Sequence, residues 1–155
     1  MELELNENLI VEIDAEDLHK VLQITTNWFF NGRRVSCKKN CGKAFLAAII
    51  LNYFGNLVID HIDGNPLNNK KDNLRVVTHQ QNSFNSKSRK NSSSKFKNVC
   101  WDRQAEKWKV NIKVKGNSIH GGHFDCEIEA ARKANELMLK HHGEFARLNA
   151  IPELN

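Results

Sequence analysis

Residues 107–115 read Lys-Trp-Lys-Val-Asn-Ile-Lys-Val-Lys, and the alternation is strict. Period-two alternation is the signature of an extended strand with one buried face, because successive side chains point to opposite sides. Trp108, Val110, Ile112 and Val114 form the apolar face, which needs a cover. Lys107, Lys109, Asn111, Lys113 and Lys115 form the other. Like charges in a row on one sheet face repel each other, so the row makes best sense opposite an anionic partner.

The cover is legible downstream. Between about Glu127 and His142, residues Ala130, Ala131, Ala134, Leu137, Met138 and His141 recur at helical spacing, and Gly143 is a natural helix stop. Val99-Cys100-Trp101 precedes the alternating strand and Ser118-Ile119-His120 follows it, with Gly116-Asn117 as the expected hairpin turn. Several stretches together resemble the AP2 DNA-binding domain. They are Ser94-Lys95-Phe96-Lys97-Asn98-Val99-Cys100-Trp101, Lys107-Trp108-Lys109, Gly122-His123-Phe124-Asp125, Glu129-Ala130-Ala131-Arg132 and His142-Gly143-Glu144-Phe145-Ala146-Arg147-Leu148-Asn149. The resemblance implies three antiparallel strands on one helix, with the sheet in the DNA major groove. Carried onto this chain, it implies DNA contacts by Arg103, Lys107, Lys109, Asn111 and Lys113, with Arg103 suited to guanine and Asn111 to adenine. Lys115 extends the row. Two positions depart from the family: Asn98 stands where Gly is frequent, and Cys126 where a Thr cap is common, leaving Asp125 as the expected helix cap.

Upstream, residues 83–95 hold six serines and four basic residues in thirteen positions, the composition of a polar linker. Extended, it would reach roughly 40 Å at about 3.3 Å per residue. Charge is uneven along the chain. The total is +5, yet residues 1–20 carry seven acids and one lysine, and residues 61–99 carry eight basic and two acidic side chains. Such a basic segment fits nucleic acid. Arg75, Lys87, Arg89, Lys90 and Lys97 are therefore further candidate DNA contacts. No run of apolar residues approaches the length that spans a bilayer. The acidic start, Met1-Glu2-Leu3-Glu4-Leu5, lacks a signal-peptide pattern, so a cytoplasmic protein is expected.

The chemistry concentrates before the linker. Short apolar segments at Leu9-Ile10-Val11 and Phe45–Tyr53 predict a strand and a buried helix, and Arg33–Cys37 with Lys43–Leu46 predict a hairpin. Ala15–Leu22 predicts a helical turn or two. Leu57-Val58-Ile59 then runs straight into Asp60-His61-Ile62-Asp63-Gly64-Asn65. Asp72-Asn73-Leu74-Arg75 leads into Val76-Val77, and Thr78 and Gln81 make a capping box that places Asn82 in the first helical turn. The unit is strand, loop, strand, helix. It can focus a carboxylate, an imidazole and an amide on one point. The Asp60 carboxylate and Asn82 amide oxygen suit Mg²⁺ or Mn²⁺. A neutral His61 imidazole can take a proton from water, and an amide such as Asn73 can hold that ring in place.

These residues, with Asn68-Asn69, resemble the HNH endonucleases, most closely the phage and intron homing type. The resemblance implies a ββα-metal fold with His61 as general base, Asp60 and Asn82 on the metal, and Asn73 supporting His61. His79 reads as a surface residue. In the preceding helix Ala47-Ala48 occupies the place where that family usually has a His-Arg pair. Some HNH proteins carry structural zinc on two Cys pairs. Cys37 and Cys41 make a single C-x₃-C with no second pair nearby, so free thiols are the default.

The expected fold is α+β: an N-terminal region and ββα-metal nuclease domain in 1–82 (motif 57–85), a linker in 83–95, and an AP2-like sheet on one helix in 96–149. The expected function is site-specific, metal-dependent hydrolysis of double-stranded DNA. The chain is expected to be a monomer or weak dimer; as a monomer, with one catalytic centre, it would nick one strand, and a double-strand break would need dimerisation or two sequential events. The rival is a catalytically inactive protein that binds DNA through the second module.

Overall fold

The computed structural model describes residues 1–6, 8–24, 27–39, 42–88 and 91–152, and the chain divides into two compact units, Met1–His79 and Gln80–Asn155. No helix among the described residues is long and apolar enough to cross a membrane.

The first unit opens with an antiparallel hairpin of β1 (Glu2–Asn6) and β2 (Leu9–Glu12). A 3-10 turn at Ala15–Asp17 runs into α1 (Leu18–Ile24). A three-stranded antiparallel sheet follows, ordered β3 (Trp28–Phe30), β4 (Val35–Lys39), β5 (Gly42–Phe45), and β5 passes directly into α2 (Leu46–Leu51). The helix stops because Asn52 adopts a left-handed conformation, with φ of 49°, and its N–H closes back on the last turn. β6 (Val58–His61) and β7 (Leu74–Val77) form a second antiparallel hairpin, joined by a loop that ends in a 3-10 turn at Lys71–Asn73. The core gathers Val11, Ile13, Val21, Trp28, Val35, Cys37, Leu46, Ile49, Ile50 and Leu74. Ala47 belongs to this core, where a small side chain fits. Cys37 is a buried free thiol, and Cys41 lies outside the described residues.

α3 (His79–Phe84) follows β7 and carries the chain into the second unit. There β8 (Val99–Asp102), β9 (Lys107–Val114) and β10 (Asn117–Phe124) form an antiparallel sheet ordered β10-β9-β8. α4 (Glu127–His142) covers it, ending in a 3-10 turn at Gly143–Phe145. Val110 and Ile112 are fully buried against Ala130, Ala131, Ala134 and Met138, each contributing on the order of 1.5–3 kcal/mol. Asn111 and Lys113 alternate with them on the exposed side. Helix and sheet approach so closely at Gly121 that an added Cβ would lie 2.7 Å from both Leu137 and Val110 side-chain atoms.

Four local expectations change, and the Asn98 departure gains an explanation. The β9–β10 turn is Lys115-Gly116, not Gly116-Asn117. Both residues have positive φ, 49° and 84°, as a type I′ hairpin turn requires, and Asn117 already pairs with Val114. Asp125 does not cap α4. Cys126 is the N-cap residue without a side-chain bond, and Asp125 pairs with Lys107 instead, at 3.1 Å. The buried histidine at the end of α4 is His142 rather than His141. It stacks on Phe84 with ring centroids 3.7 Å apart, and its Nε2 lies 3.0 Å from the Lys113 carbonyl oxygen. Asn98 has φ of 64°, a conformation that Gly adopts freely and Asn tolerates, which explains the exchange at that position. Parts of the expected linker belong to the second unit. Ser83 and Phe84 end α3, Asn85 and Ser94 are buried, and the Ser94 hydroxyl donates to Glu127 at 2.6 Å.

Candidate active site

Strand pairing in the β6–β7 hairpin sets Asp60 opposite Arg75. Asp60 is only 7% exposed. Arg75 donates to its Oδ2 through Nε at 3.0 Å and Nη2 at 2.9 Å. Arg75, expected as a DNA contact, thus grips the expected metal ligand.

His61 ends β6, and its Nε2 lies 3.2 Å from Asn69 Oδ1. Asn69 is 1% exposed, and its Nδ2 donates to the Pro66 carbonyl at 3.1 Å. That second bond fixes which end of the amide faces the ring. Asn69 Oδ1 can only accept, so Nε2 carries the proton of the neutral imidazole and Nδ1 is the basic nitrogen.

The amide beside the imidazole is therefore Asn69, where Asn73 was expected. Asn73 braces the loop. Its Oδ1 accepts from the Asp63 amide at 3.0 Å, and its Nδ2 donates to Asp63 Oδ1 at 3.0 Å and to the Asn68 carbonyl at 2.8 Å. Asp63 also accepts from the Asn65 amide at 2.7 Å and from Asn68 Nδ2 at 2.9 Å. Burial pushes the Asp63 carboxyl up, but these hydrogen bonds outweigh it and hold the group below its ordinary value. Gly64 makes the turn possible with φ of 71°, and its N–H returns to the His61 carbonyl at 2.8 Å.

The acidic N-terminal segment holds this loop. The Glu12 N–H donates to the Leu67 carbonyl and the Asn69 N–H to the Glu12 carbonyl, both at 2.8 Å. One residue of β2 thus pairs with the backbone that presents Asn69. The Asp14 carboxylate accepts from the Lys71 amide at 2.9 Å. Lys70 pairs with Glu12 at 3.0 Å, and Lys71 with Asp17 at 3.1 Å and with Glu16. Sequence reading missed Asn69 and this clamp. The available signal was the run of acids in 1–20 set against Lys70-Lys71, which local patterning does not connect.

Asn82 lies on α3. As a donor set, one carboxylate and one amide oxygen suit a hard divalent cation. Among the described residues, no group of three His, Cys, Asp or Glu could hold a metal ion.

The remaining candidates lie in the second unit. Arg89 and Lys90 fall outside the described residues. Lys87, Arg103, Asn111, Lys113 and Lys115 are exposed. The basic row of β9 is partly neutralised from its neighbours, since Lys107 meets Asp125 and Lys109 meets Asp102 at 3.7 Å. Asp102 also accepts from His123 at 3.1 Å and from the Gln104 and Ala105 amides. The His123 bond, then those amides, hold its carboxyl at about 2. Lys97 is half-buried and donates to the carbonyls of Ser83 and Phe84.

The HNH endonuclease family model matches residues 51–84, which span β6, the Asp63 loop, β7 and α3. Over 89 residues the chain is 36% identical to Protein 3.8 of Escherichia phage T7, covering 57% of this chain and 73% of that protein. Over 95 residues it is 37% identical to an uncharacterised HNH endonuclease of Acanthamoeba polyphaga mimivirus, covering 61% of this chain and 48% of that protein. No solved structure matches. The chain carries an HNH endonuclease domain and belongs to the family of the T7 protein.

Proposed function

We propose that this protein is a site-specific, metal-dependent DNA endonuclease of the homing type, with a ββα-metal centre in β6, β7 and α3. The observation that carries the reading is His61, held by Asn69 beside Asp60 inside the matched HNH segment. In this reading His61 Nδ1 takes the proton from a water, the resulting hydroxide attacks phosphorus, and the bond to the leaving oxygen breaks. Asn69 keeps Nε2 protonated and the ring oriented while His61 gains its second proton. Asn73 and Asp63 keep the loop closed around that pair. Asp60 and Asn82 would hold Mg²⁺ or Mn²⁺, which supplies stabilisation of negative charge on the phosphodiester.

The second unit supplies position. Its three strands and α4 support an AP2-like reading in which the exposed face of β9, with Arg103, meets duplex DNA. Lys113 and Lys115 serve phosphates, and Asn111 a base edge. One catalytic centre per chain gives a nick. Kinship with the T7 protein supports action in the cytoplasm of a phage-infected cell.

The test is a supercoiled plasmid carrying cloned source DNA, incubated with Mg²⁺ or Mn²⁺. Nicked circles with few mapped positions, absent with EDTA, are expected. Intact plasmid under every metal condition, with DNA binding retained, would move the protein to the inactive reading.

A further inference from the structure

Positive charge is unevenly placed within the first unit. Residues 18–59 carry six basic and no acidic side chains. Away from the β3–β4–β5 sheet, the cations of this unit meet carboxylates. Lys20 lies 2.6 Å from Asp17, Lys70 3.0 Å from Glu12, Lys71 3.1 Å from Asp17 and Arg75 2.9 Å from Asp60. On the sheet and its first turn, Arg33, Arg34, Lys38 and Lys43 are exposed, and among the described residues none of the four meets a carboxylate.

Strand register gathers three of these cations on one face. Lys38 lies directly opposite Lys43, and Ser36 lies opposite Phe29 on one side and Phe45 on the other. Residues two apart on a strand share a face, so both lysines stand on the face of Ser36 and the two rings. Trp28, Cys37 and Ala44 take the opposite face, against the core. Arg34 joins the outer face, with its guanidinium over the Phe45 ring at 5.2 Å from the centroid. The turn that presents it is braced: Asn31 Oδ1 accepts from the Arg33 amide at 3.0 Å and the Arg34 amide at 2.9 Å, and Gly32 takes φ of 83°. Like charges directly opposite each other on a sheet face repel, and an anion seated between them turns that repulsion into attraction.

We propose that the outer face of the β3–β4–β5 sheet is a contact surface for the backbone of duplex DNA, with Lys38 and Lys43 seating one phosphate between them and Arg34 taking a further one. The surface belongs to the nuclease unit and is separate from the exposed row on β9. It gives that unit its own hold on the strand it cuts. Phosphate contacts carry no base information, so this hold is the same on every sequence. The inference rests on the DNA-cleaving reading above.

The experiment measures binding of the full chain to a labelled duplex of the source DNA, and to a scrambled duplex of equal length, across a salt series. It compares wild type with the double variant Lys38→Gln/Lys43→Gln, with Arg34→Gln and with Lys113→Gln on β9 as a reference, each checked by thermal melting. Each lost phosphate contact should lower the slope of log affinity against log salt by about 0.9. The lysine double variant and Arg34→Gln are each expected to show that reduction, with the same fold-loss of affinity on both duplexes. Lys38→Arg/Lys43→Arg keeps the charges and should keep the wild-type slope. Both lysines are exposed, so the double variant keeps the test open if Arg34→Gln does not fold. Wild-type slopes in the folded sheet variants, with a reduced slope for Lys113→Gln, would overturn the sheet surface and leave DNA binding by the second unit intact. A loss confined to the source duplex would overturn the backbone assignment. A wild type that binds no duplex at low salt would overturn both this surface and the reading it rests on. Unchanged DNA slopes with a reduced slope on duplex RNA would make RNA the partner and overturn the DNA assignment.

Discussion

Replacing Asn69 with Ala removes a hydrogen-bond acceptor that lies 3.2 Å from His61 Nε2. In the ground state this bond joins two neutral groups and contributes about 0.5–1.5 kcal/mol. When His61 takes the proton from water it becomes an imidazolium, and a bond to a charged donor contributes about 1.5–3 kcal/mol. Only the difference, about 1–2 kcal/mol, acts on the chemical step, so kcat should fall roughly 5- to 30-fold while KM stays near its wild-type value. The Pro66 carbonyl also loses its donor, so the first unit should lose about 1–3 kcal/mol of stability. Single-turnover nicking measures the rate. Nitrogen-15 spectra of the His61 ring report its tautomer without any cleavage: Nε2–H in the wild type and a mixture in Asn69→Ala. Asn69→Asp keeps an acceptor and should recover part of the rate. A wild-type rate and an unchanged tautomer in Asn69→Ala would refute the reasoning.

Arg75→Gln withdraws the guanidinium from the buried Asp60, and urea unfolding should show a loss on the order of 3 kcal/mol. Gly121→Ala forces a methyl to 2.7 Å from Leu137 and Val110, so the second unit should lose about 1–3 kcal/mol by thermal or urea melting. Lys97, held at about 8 against 10.5 in the unfolded chain, binds fewer protons folded than unfolded between those values. Stability of the second unit should therefore rise with pH from about 8 towards 10.5, and Lys97→Met should flatten that rise. Arg147 and His142 act on Lys97 through their charges, and burial, the largest cause, holds the His142 imidazole below its ordinary value, outside that window.

What the sequence makes legible here follows from local rules. The alternation of 107–115 carries its own inside and outside, and Val110 and Ile112 are buried while Asn111 and Lys113 are exposed. The apolar run into Asp60-His61 and the step from Asn73 into Val76-Val77 locate both strands of the hairpin because each is bounded by its own turn residues. The rest depends on partners distant in sequence. Nothing near Asn69 says that its backbone bonds Glu12, or that its amide faces His61 while Asn73 turns to Asp63. β3 is short and lacks alternation, so pairing defines it, whereas β1 alternates Glu and Leu over residues 2–5, a period-two signal that its acidic charge overshadows. The acids beside Lys107 and Lys109 come from the end of β8 and the residue after β10, which the period-two pattern of one strand cannot reveal.

The most direct test of the account compares wild type and His61→Ala on the same supercoiled DNA, with binding measured alongside cleavage. The account predicts that His61→Ala binds with wild-type affinity and salt dependence yet nicks at least a hundredfold more slowly, the order of effect for a lost general base. Nicking at the wild-type rate by His61→Ala would contradict it, and the proton from water would have to go elsewhere.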